Sequence, residues 1–99
     1  MAKRVIWSLR AQSDRRLILE YWIERNKSNT YSKKLHILFK EAVKLIAAFP
    51  KIGKLTDEEN VRIKIVRDCF IIYEETEEEI HILTIWNSYQ NPDKLGWEF

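Results

Sequence analysis

Two basic side chains that alternate along one short stretch are the first candidates for chemistry in this sequence. In "VRIKI" (61–65), Arg62 and Lys64 are separated by one apolar residue, and residues two apart in a β-strand point to the same face. Two cations on one face can neutralise phosphates, and a cation can stabilise negative charge that develops on a phosphoryl group. The more ordinary interpretation is the solvated face of a half-buried strand. Arg67, in the turn that follows, either extends this basic patch or is only exposed.

The stretch "ILTIWNSYQNP" (82–92) changes abruptly from apolar to uncharged polar residues after Trp86. Strand ends beside a breaker are common places for a working site. Its polar residues, Asn87, Ser88, Tyr89 and Gln90, can form hydrogen bonds with a partner. None of them is a general acid or base near pH 7 with an ordinary pKa.

Aromatic residues close the chain at Trp97 and Phe99. Such residues serve either as anchors for a partner or as part of the chain's own core. His81 and His36 fall on different elements, so no ligand spacing for a metal is present. We therefore predict no metal and no other cofactor. Cys69 is the only cysteine, and we interpret it as a small buried hydrophobic residue.

The composition is that of a soluble, foldable chain. Its 99 residues are 45% hydrophobic and 32% charged, with a formal net charge of +2, which predicts a single domain over residues 1–99. The mildly basic charge permits an acidic partner or nucleic acid without favouring either. A single cysteine excludes an internal disulfide and fits a reducing cytosol. No signal peptide and no apolar run near the ~18 residues of a membrane span are present, so we expect a cytoplasmic protein with no membrane contact.

Two helices separate the first strand from the later ones. "RVIW" (4–7) predicts a strand, and Ser8 is a suitable N-cap for a helix that runs from Leu9 to about Arg25. After a polar turn (26–30), a second helix is predicted from about Tyr31 to Phe49, ended by Pro50. Its predicted apolar stripe comprises Leu35, Leu38, Ala42, Leu45, Ile46 and Phe49.

The second half of the chain has the pattern of strands. Residues 51–60 read as a loop, and apolar stretches then begin at Val61, at Cys69 and at Ile80. The run of glutamates in 74–79 predicts a solvated hairpin tip. The last strand is the most apolar, which predicts a central position. The expected fold is α+β: a four-stranded antiparallel sheet packed against a two-helix hairpin, in the order β-α-α-β-β-β.

This layout, together with four phrases, resembles the RelE/ParE superfamily of toxins from type II toxin–antitoxin systems. The phrases are "VIWSLRAQSD", "LIAAFPKIG", "VRIKIVRDCFIIYE" and "IHILTIWNSYQNP". The resemblance implies a small bacterial toxin that is neutralised by a cognate antitoxin, whose C-terminal segment wraps the domain. Two activities are implied as alternatives: RelE-like cleavage of mRNA on the ribosome, or ParE-like poisoning of DNA gyrase.

If the chain were a nuclease, the resemblance would assign the basic catalytic residues to Arg62 and Lys64. Tyr89 would join them on chemical grounds, because a phenol near a phosphate can donate a hydrogen bond or, with a lowered pKa, take a proton. The sequence departs from the nuclease pattern in two places. Ile71 stands where nuclease members carry an arginine, and neutral residues 87–90 stand where many members carry a histidine and arginines. Removing one stabiliser of transition-state charge lowers a rate by roughly 10²–10³. These departures favour inhibition of gyrase, with a ribosome-dependent mRNA endonuclease, or a non-toxic relic that only binds antitoxin, as the alternatives.

The predicted contacts with the target or the antitoxin are Arg67, Asn87, Gln90, Trp97 and Phe99. Arg15 is a further departure, because the family usually has an apolar residue there. It either shifts the packing of the first helix or forms a contact with a partner.

Overall fold

The helices and strands of the chain follow the predicted order. The computed structural model describes residues 2–87. The elements are β1 (Arg4–Trp7), α1 (Leu9–Asn26), α2 (Thr30–Ala48), a 3-10 turn (Pro50–Ile52), β2 (Lys54–Leu55), β3 (Val61–Val66), β4 (Cys69–Glu75) and β5 (Glu79–Asn87).

Local signals set the ends of the helices, as predicted. Ser8 caps α1, because its hydroxyl oxygen accepts a hydrogen bond from the Ala11 amide at 2.9 Å. Lys27, in the left-handed region at φ 51°, ends α1 by donating its amide to the Ile23 carbonyl. Pro50 follows α2 and opens the 3-10 turn, since a proline cannot continue the ladder of helical hydrogen bonds.

The buried face of α2 differs in part from the predicted stripe. Leu35, Ala42 and Ile46 are buried as expected, but Leu45 and Phe49 are 39% and 62% exposed. The core uses Phe39, Val43 and Ala47 in their place. The buried face is wider than one stripe because α2 packs against both α1 and the sheet, so its contacts spread to neighbouring positions around the helix.

The sheet has five strands and is mixed, which corrects the prediction of four antiparallel strands. The strand order is β1-β5-β4-β3-β2, so β5 is an inner strand as predicted. β1 pairs with β5 in parallel, from Arg4 opposite Glu79 to Trp7 opposite Ile82. Parallel neighbours need a long connection, and here the helices, β2, β3 and β4 provide it. β2 lies within the predicted loop, and its two residues are too few for an alternating pattern.

Both faces of the sheet are apolar, which changes the environment of the two basic residues of β3. Beneath the helices the core includes Ile71 and Tyr73, while the opposite face carries a cluster of Val61, Ile63, Ile72 and Trp86.

Arg62 is paired with Tyr73, and Lys64 with Ile71. Partners in an antiparallel ladder share a face, so both cations lie on the helix-covered side. They are half-buried there and do not form the fully solvated face that alternation alone suggested.

Candidate functional site

The segment after α2 is held by hydrogen bonds from Arg62 and Tyr73, which we call the Arg62–Tyr73 clasp. The Arg62 guanidinium donates to the Gly53 carbonyl at 2.8 Å and to the Lys51 carbonyl at 3.3 Å. The Tyr73 hydroxyl donates to the Pro50 carbonyl at 2.7 Å and accepts from the Gly53 amide at 2.9 Å. Arg62 therefore binds the chain's own backbone, which leaves fewer donors for a phosphate.

Gly53 permits the close approach on which the clasp depends. A Cβ atom at this position would lie 2.5 Å from the Tyr73 hydroxyl oxygen and 2.8 Å from a ring carbon. Burial raises the pKa of Tyr73 above its ordinary value, while the Gly53 hydrogen bond and the Arg62 charge oppose that rise. The phenol thus stays protonated at neutral pH and keeps the donor that it offers to Pro50.

Lys64 and Arg67 lie near each other at the C-terminal end of β3, beyond the residues that pair with β2. Lys64 is half-buried and borders a shallow groove with Leu45, Ile65 and Arg67. Within residues 2–87, neither cation forms an ion pair.

The edge of β3 beside Lys64 and Arg67 lies beyond the end of β2 and has unpaired backbone groups. β2 pairs only with Arg62 and Ile63, so the rest of β3 has no neighbouring strand on that side in the described part of the chain. Exposed edges of this kind accept an added strand from a partner.

Ser8, at the start of α1, binds a β-bulge in β5 that lies a few residues before the predicted polar segment 87–90. Ile72 pairs with Thr84 whereas Tyr73 pairs with Ile82, so Leu83 is an extra residue in β5. The Ser8 amide donates to the Ile82 carbonyl at 3.0 Å, and the Ser8 hydroxyl donates to the Leu83 carbonyl at 2.8 Å.

A side-chain hydrogen bond also joins α1 to β5 next to this β-bulge. The Thr84 hydroxyl donates to the Asp14 carboxylate, and Thr84 is fully buried. The sequence did not indicate Asp14 or Thr84, because no local pattern relates residues seventy positions apart.

The predicted partner contacts are only partly described by the structure. Asn87 ends β5 opposite Cys69 and is 6% exposed, so its side chain presents little surface to a partner. Arg67 is exposed in the turn between β3 and β4, at φ 57°. The predicted residues Tyr89, Gln90, Trp97 and Phe99 lie outside the described residues.

Basic residues of β1, of its N-terminal flank and of the 3-10 turn neutralise part of the acidic hairpin between β4 and β5. Glu75 forms ion pairs with Lys3 at 2.9 Å and Lys51 at 3.0 Å, and the hydrogen bond from Lys3 is the main cause of its lowered pKa. Glu79 pairs with Arg4, which lowers the pKa of that carboxyl as well. The remaining glutamates at the tip, Glu77 and Glu78, are exposed as predicted.

The remaining titratable groups give no indication of a catalytic centre in the described region. The His81 imidazole lies 3.1 Å from the Glu79 carboxylate, a contact between neighbours on one strand. Burial raises the pKa of the Cys69 thiol to about 11, which keeps it in the unreactive protonated form. Over residues 2–87, no cluster of three or more potential ligands could hold a metal ion. In the same range, neither helix has the length and apolar character needed to cross a bilayer.

The fold and these contacts define a small α+β protein whose polar side chains largely hold its own loops and strand ends. Its remaining surface offers exposed apolar residues, unpaired cations and an open strand edge. These are features of a protein that binds macromolecules.

Comparison with known proteins identifies the family. Residues 5–92 match the family model described as "ParE toxin of type II toxin-antitoxin system, parDE", and the chain belongs to this family. The predicted resemblance to the RelE/ParE superfamily is confirmed. No curated protein gives a significant match.

A solved structure shares the fold. It is described as "Chromosomal ParDE TA system from P. aeruginosa", with a TM-score of 0.74 and 19% sequence identity. The similarity covers 87% of this chain and 96% of that chain. At this level of identity, the similarity concerns the fold.

Proposed function

We propose that this chain is the toxin of a type II toxin–antitoxin pair, that it inhibits DNA gyrase in the bacterial cytoplasm, and that a cognate antitoxin neutralises it. Membership in the ParE toxin family supports the toxin role and implies the antitoxin partner. The choice of gyrase over the ribosome depends on the residues that a nuclease would need.

The environment of Arg62 and Ile71 carries the proposal. A nuclease needs cations that are free to reach the phosphates of its substrate. Arg62 instead donates to two backbone carbonyls of its own chain. Ile71, at the position where nuclease members carry an arginine, is fully buried beneath the helices. Both features support a toxin that acts by binding its target rather than by cleaving RNA.

A ribosome-dependent mRNA endonuclease is the second candidate. The observation in its favour is the pair Lys64 and Arg67, which lie beside one groove and form no ion pair within the described residues. Together with Tyr89, these cations would have to bind the mRNA backbone and stabilise the charge that develops at the cleaved phosphate.

Two assays with purified components distinguish gyrase inhibition from mRNA cleavage. The protein is added to gyrase with relaxed plasmid DNA, and in parallel to ribosomes that carry an mRNA. We expect loss of supercoiling or accumulation of cleaved plasmid, and intact mRNA. Cut mRNA on the ribosome with unaffected gyrase would refute the gyrase proposal.

Variants of Lys64 and Arg67 test the nuclease alternative directly. The double variant Lys64→Ala, Arg67→Ala should abolish cleavage by a nuclease, because it removes the unpaired cations at this site. The matched control is Lys33→Ala, Lys34→Ala, which removes the same charge from the exposed side of α2. mRNA cleavage that is lost in the first variant and kept in the control would favour the second candidate.

The antitoxin partnership has its own test. The chain is expressed in bacteria with and without the small gene next to its own. We expect growth arrest without that gene and normal growth with it. A harmless chain that still binds the neighbouring product would indicate a non-toxic relic. A harmless chain without any such binding would refute the toxin–antitoxin assignment.

A further inference from the structure

The positive and negative charges of this chain are segregated. The segment from Leu9 to Ala48, which holds both helices, carries nine lysines and arginines and four carboxylates. Residues 57–59 and 74–79 together carry eight carboxylates and no lysine or arginine. These two acidic segments are neighbours, because the Glu75 amide donates to the Asn60 carbonyl at 2.9 Å. The net charge of +2 therefore combines a basic helical layer with an acidic end.

Four cations of the helical layer lie along one band of surface, which we call the basic face. Arg15, Lys40 and Lys44 border a groove between β1 and α2, and Arg15 and Arg16 border a depression along α1. Arg15 borders both and so connects the band across the two helices. Within residues 2–87, none of these four side chains forms an ion pair.

Trp7 positions the arginine at the centre of the basic face. The Arg15 guanidinium carbon lies over the Trp7 ring, 4.4 Å from its centroid. A guanidinium that stacks on an aromatic ring keeps its N–H groups available in its own plane, where they can bind two oxygens of one phosphate. Arg16, Lys40 and Lys44 are exposed, so each can contact a further phosphate.

The basic face has an excess of positive charge that a polyanion would neutralise. Glu20 and Glu41 are the carboxylates that border the groove and the depression, so four cations face two anions. Lys40 and Lys44 lie one helical turn apart, where like charges repel. A DNA duplex presents one negative charge per about 1.7 Å of its axis, and it is already rigid. A flexible acidic peptide would instead lose conformational entropy on binding.

The basic face favours a duplex over a single strand. Proteins that bind single strands stack the bases on aromatic side chains. One face of the Trp7 indole is covered by Arg15, and no tyrosine or phenylalanine of the described chain borders the groove or the depression. A duplex needs no such stacking, because its phosphates lie on the outside.

We propose that the basic face binds the phosphate backbone of duplex DNA without regard to sequence, with the acidic end turned away from the DNA. Phosphate contacts from arginine and lysine carry no sequence information. This DNA binding goes beyond gyrase inhibition and requires neither gyrase nor an antitoxin. Only the choice of DNA over a duplex of RNA rests on the proposed function, because gyrase acts on DNA.

The test measures the fluorescence anisotropy of a labelled DNA duplex of random sequence with the purified full-length chain. We expect a dissociation constant of about 10⁻⁴–10⁻⁶ M, as is usual for non-specific binding. Between about 50 and 200 mM salt, the logarithm of the binding constant should fall against that of the salt concentration with a slope of roughly −3 to −4, since each phosphate contact contributes about −0.9.

Two double variants with the same net charge locate the site. Lys40→Gln, Lys44→Gln should make the slope shallower by about 2 and weaken binding at least about tenfold at low salt, because two phosphate contacts are lost. The control Lys51→Gln, Lys54→Gln removes two lysines that follow α2 and border neither the groove nor the depression. It should keep the slope and bind within about twofold of the unmodified chain.

A variant with the opposite expected effect excludes unfolding as the cause. Glu41→Gln removes a carboxylate from the basic face and should strengthen DNA binding about two- to fivefold, because repulsion of the phosphates is lost. Its control, Glu77→Gln, removes an exposed carboxylate at the acidic hairpin tip and should have a smaller effect. Thermal unfolding of every variant checks that the fold is kept.

The outcomes separate this inference from the proposed function. Absence of DNA binding at low salt, or equal weakening by the two double variants, would refute the basic face as a DNA site. Tighter binding of a single strand or of a duplex of RNA would overturn the choice of duplex DNA. A polyglutamate peptide that displaces the duplex at equal charge concentration would indicate a site for acidic proteins instead. Gyrase inhibition without DNA binding would leave the proposed function intact, and DNA binding without any effect on gyrase would leave this inference intact.

Discussion

Removing one buried hydroxyl should reveal how strongly the Arg62–Tyr73 clasp holds the segment after α2. Tyr73 is fully buried, and its hydroxyl forms two hydrogen bonds, to the Pro50 carbonyl and from the Gly53 amide. Tyr73→Phe deletes both while it keeps the ring. The change therefore isolates the polar contribution from the packing of the aromatic side chain.

The expected loss follows from what happens to the two released groups. Gly53 is buried, and leaving a buried amide without a partner costs about 1–3 kcal/mol. Pro50 is half-exposed, so water can replace the lost donor at its carbonyl. We therefore expect the free energy of unfolding to fall by about 1–3 kcal/mol, the range for one buried polar group that loses its hydrogen-bond partner. This is a large share of the total of about 5–15 kcal/mol for a domain of this size.

Urea unfolding followed by tryptophan fluorescence measures this loss. For a slope of about 1–3 kcal/mol/M, the midpoint should fall by roughly 1 M without a change in slope. The control is Tyr21→Phe, which removes a hydroxyl from a side chain that is 43% exposed and should stay within about 0.5 kcal/mol of the unmodified chain. Equal midpoints for the two variants would refute the view that the Tyr73 hydroxyl supports the fold.

Three further predictions follow from the same region and its neighbours. Gly53→Ala should destabilise the chain, because its Cβ would lie 2.5 Å from the Tyr73 hydroxyl oxygen; a thermal midpoint that is unchanged or higher would contradict this. Cys69, with its pKa raised to about 11 and a side chain that is 1% exposed, should react with a thiol reagent far more slowly in the native protein than in urea. Equal rates in the two states would show that the thiol is accessible. Glu75 has a folded pKa below its ordinary value of 4.5, chiefly because of the hydrogen bond from Lys3, so its stabilisation is present above about pH 4.5 and is lost as the pH falls through the folded pKa. Glu75→Gln should thus lower stability at neutral pH and reduce the acid-side slope measured by urea unfolding; a slope as steep as that of the unmodified chain would argue against this ion pair.

Much of the fold could be predicted because it depends on neighbours in the sequence. Ser8 and Pro50 mark the start of α1 and the end of α2 through local backbone chemistry, and both positions are confirmed. β2 was missed for the opposite reason. Its two residues form a strand only because the edge of β3 offers them unpaired backbone groups, and no local pattern reports that edge.

The candidate site was less predictable than the fold. Arg62 and Lys64 were recognised as a pair from their spacing, but their surroundings depend on which face of the sheet the helices cover. The bond between Asp14 and Thr84 joins two elements that are far apart in the chain, so their residue types gave no signal. The role of Tyr89 stays a prediction, because that residue lies outside the described range.

The sequence by itself determined the two helices and every strand except β2, where α1 begins and α2 ends, and that the chain has the pattern of a ParE-like toxin. Periodicity and capping act over a few residues, so they can be read from the chain without its partners in space. The tertiary structure alone decided that β1 runs parallel to β5 and that the helices cover the face with Arg62 and Lys64. It also decided that Arg62 binds the backbone at Gly53, while Lys64 and Arg67 form no ion pair within residues 2–87. The physical reason is that hydrogen bonding and burial depend on distance in space, and packing brings together residues that no local pattern relates.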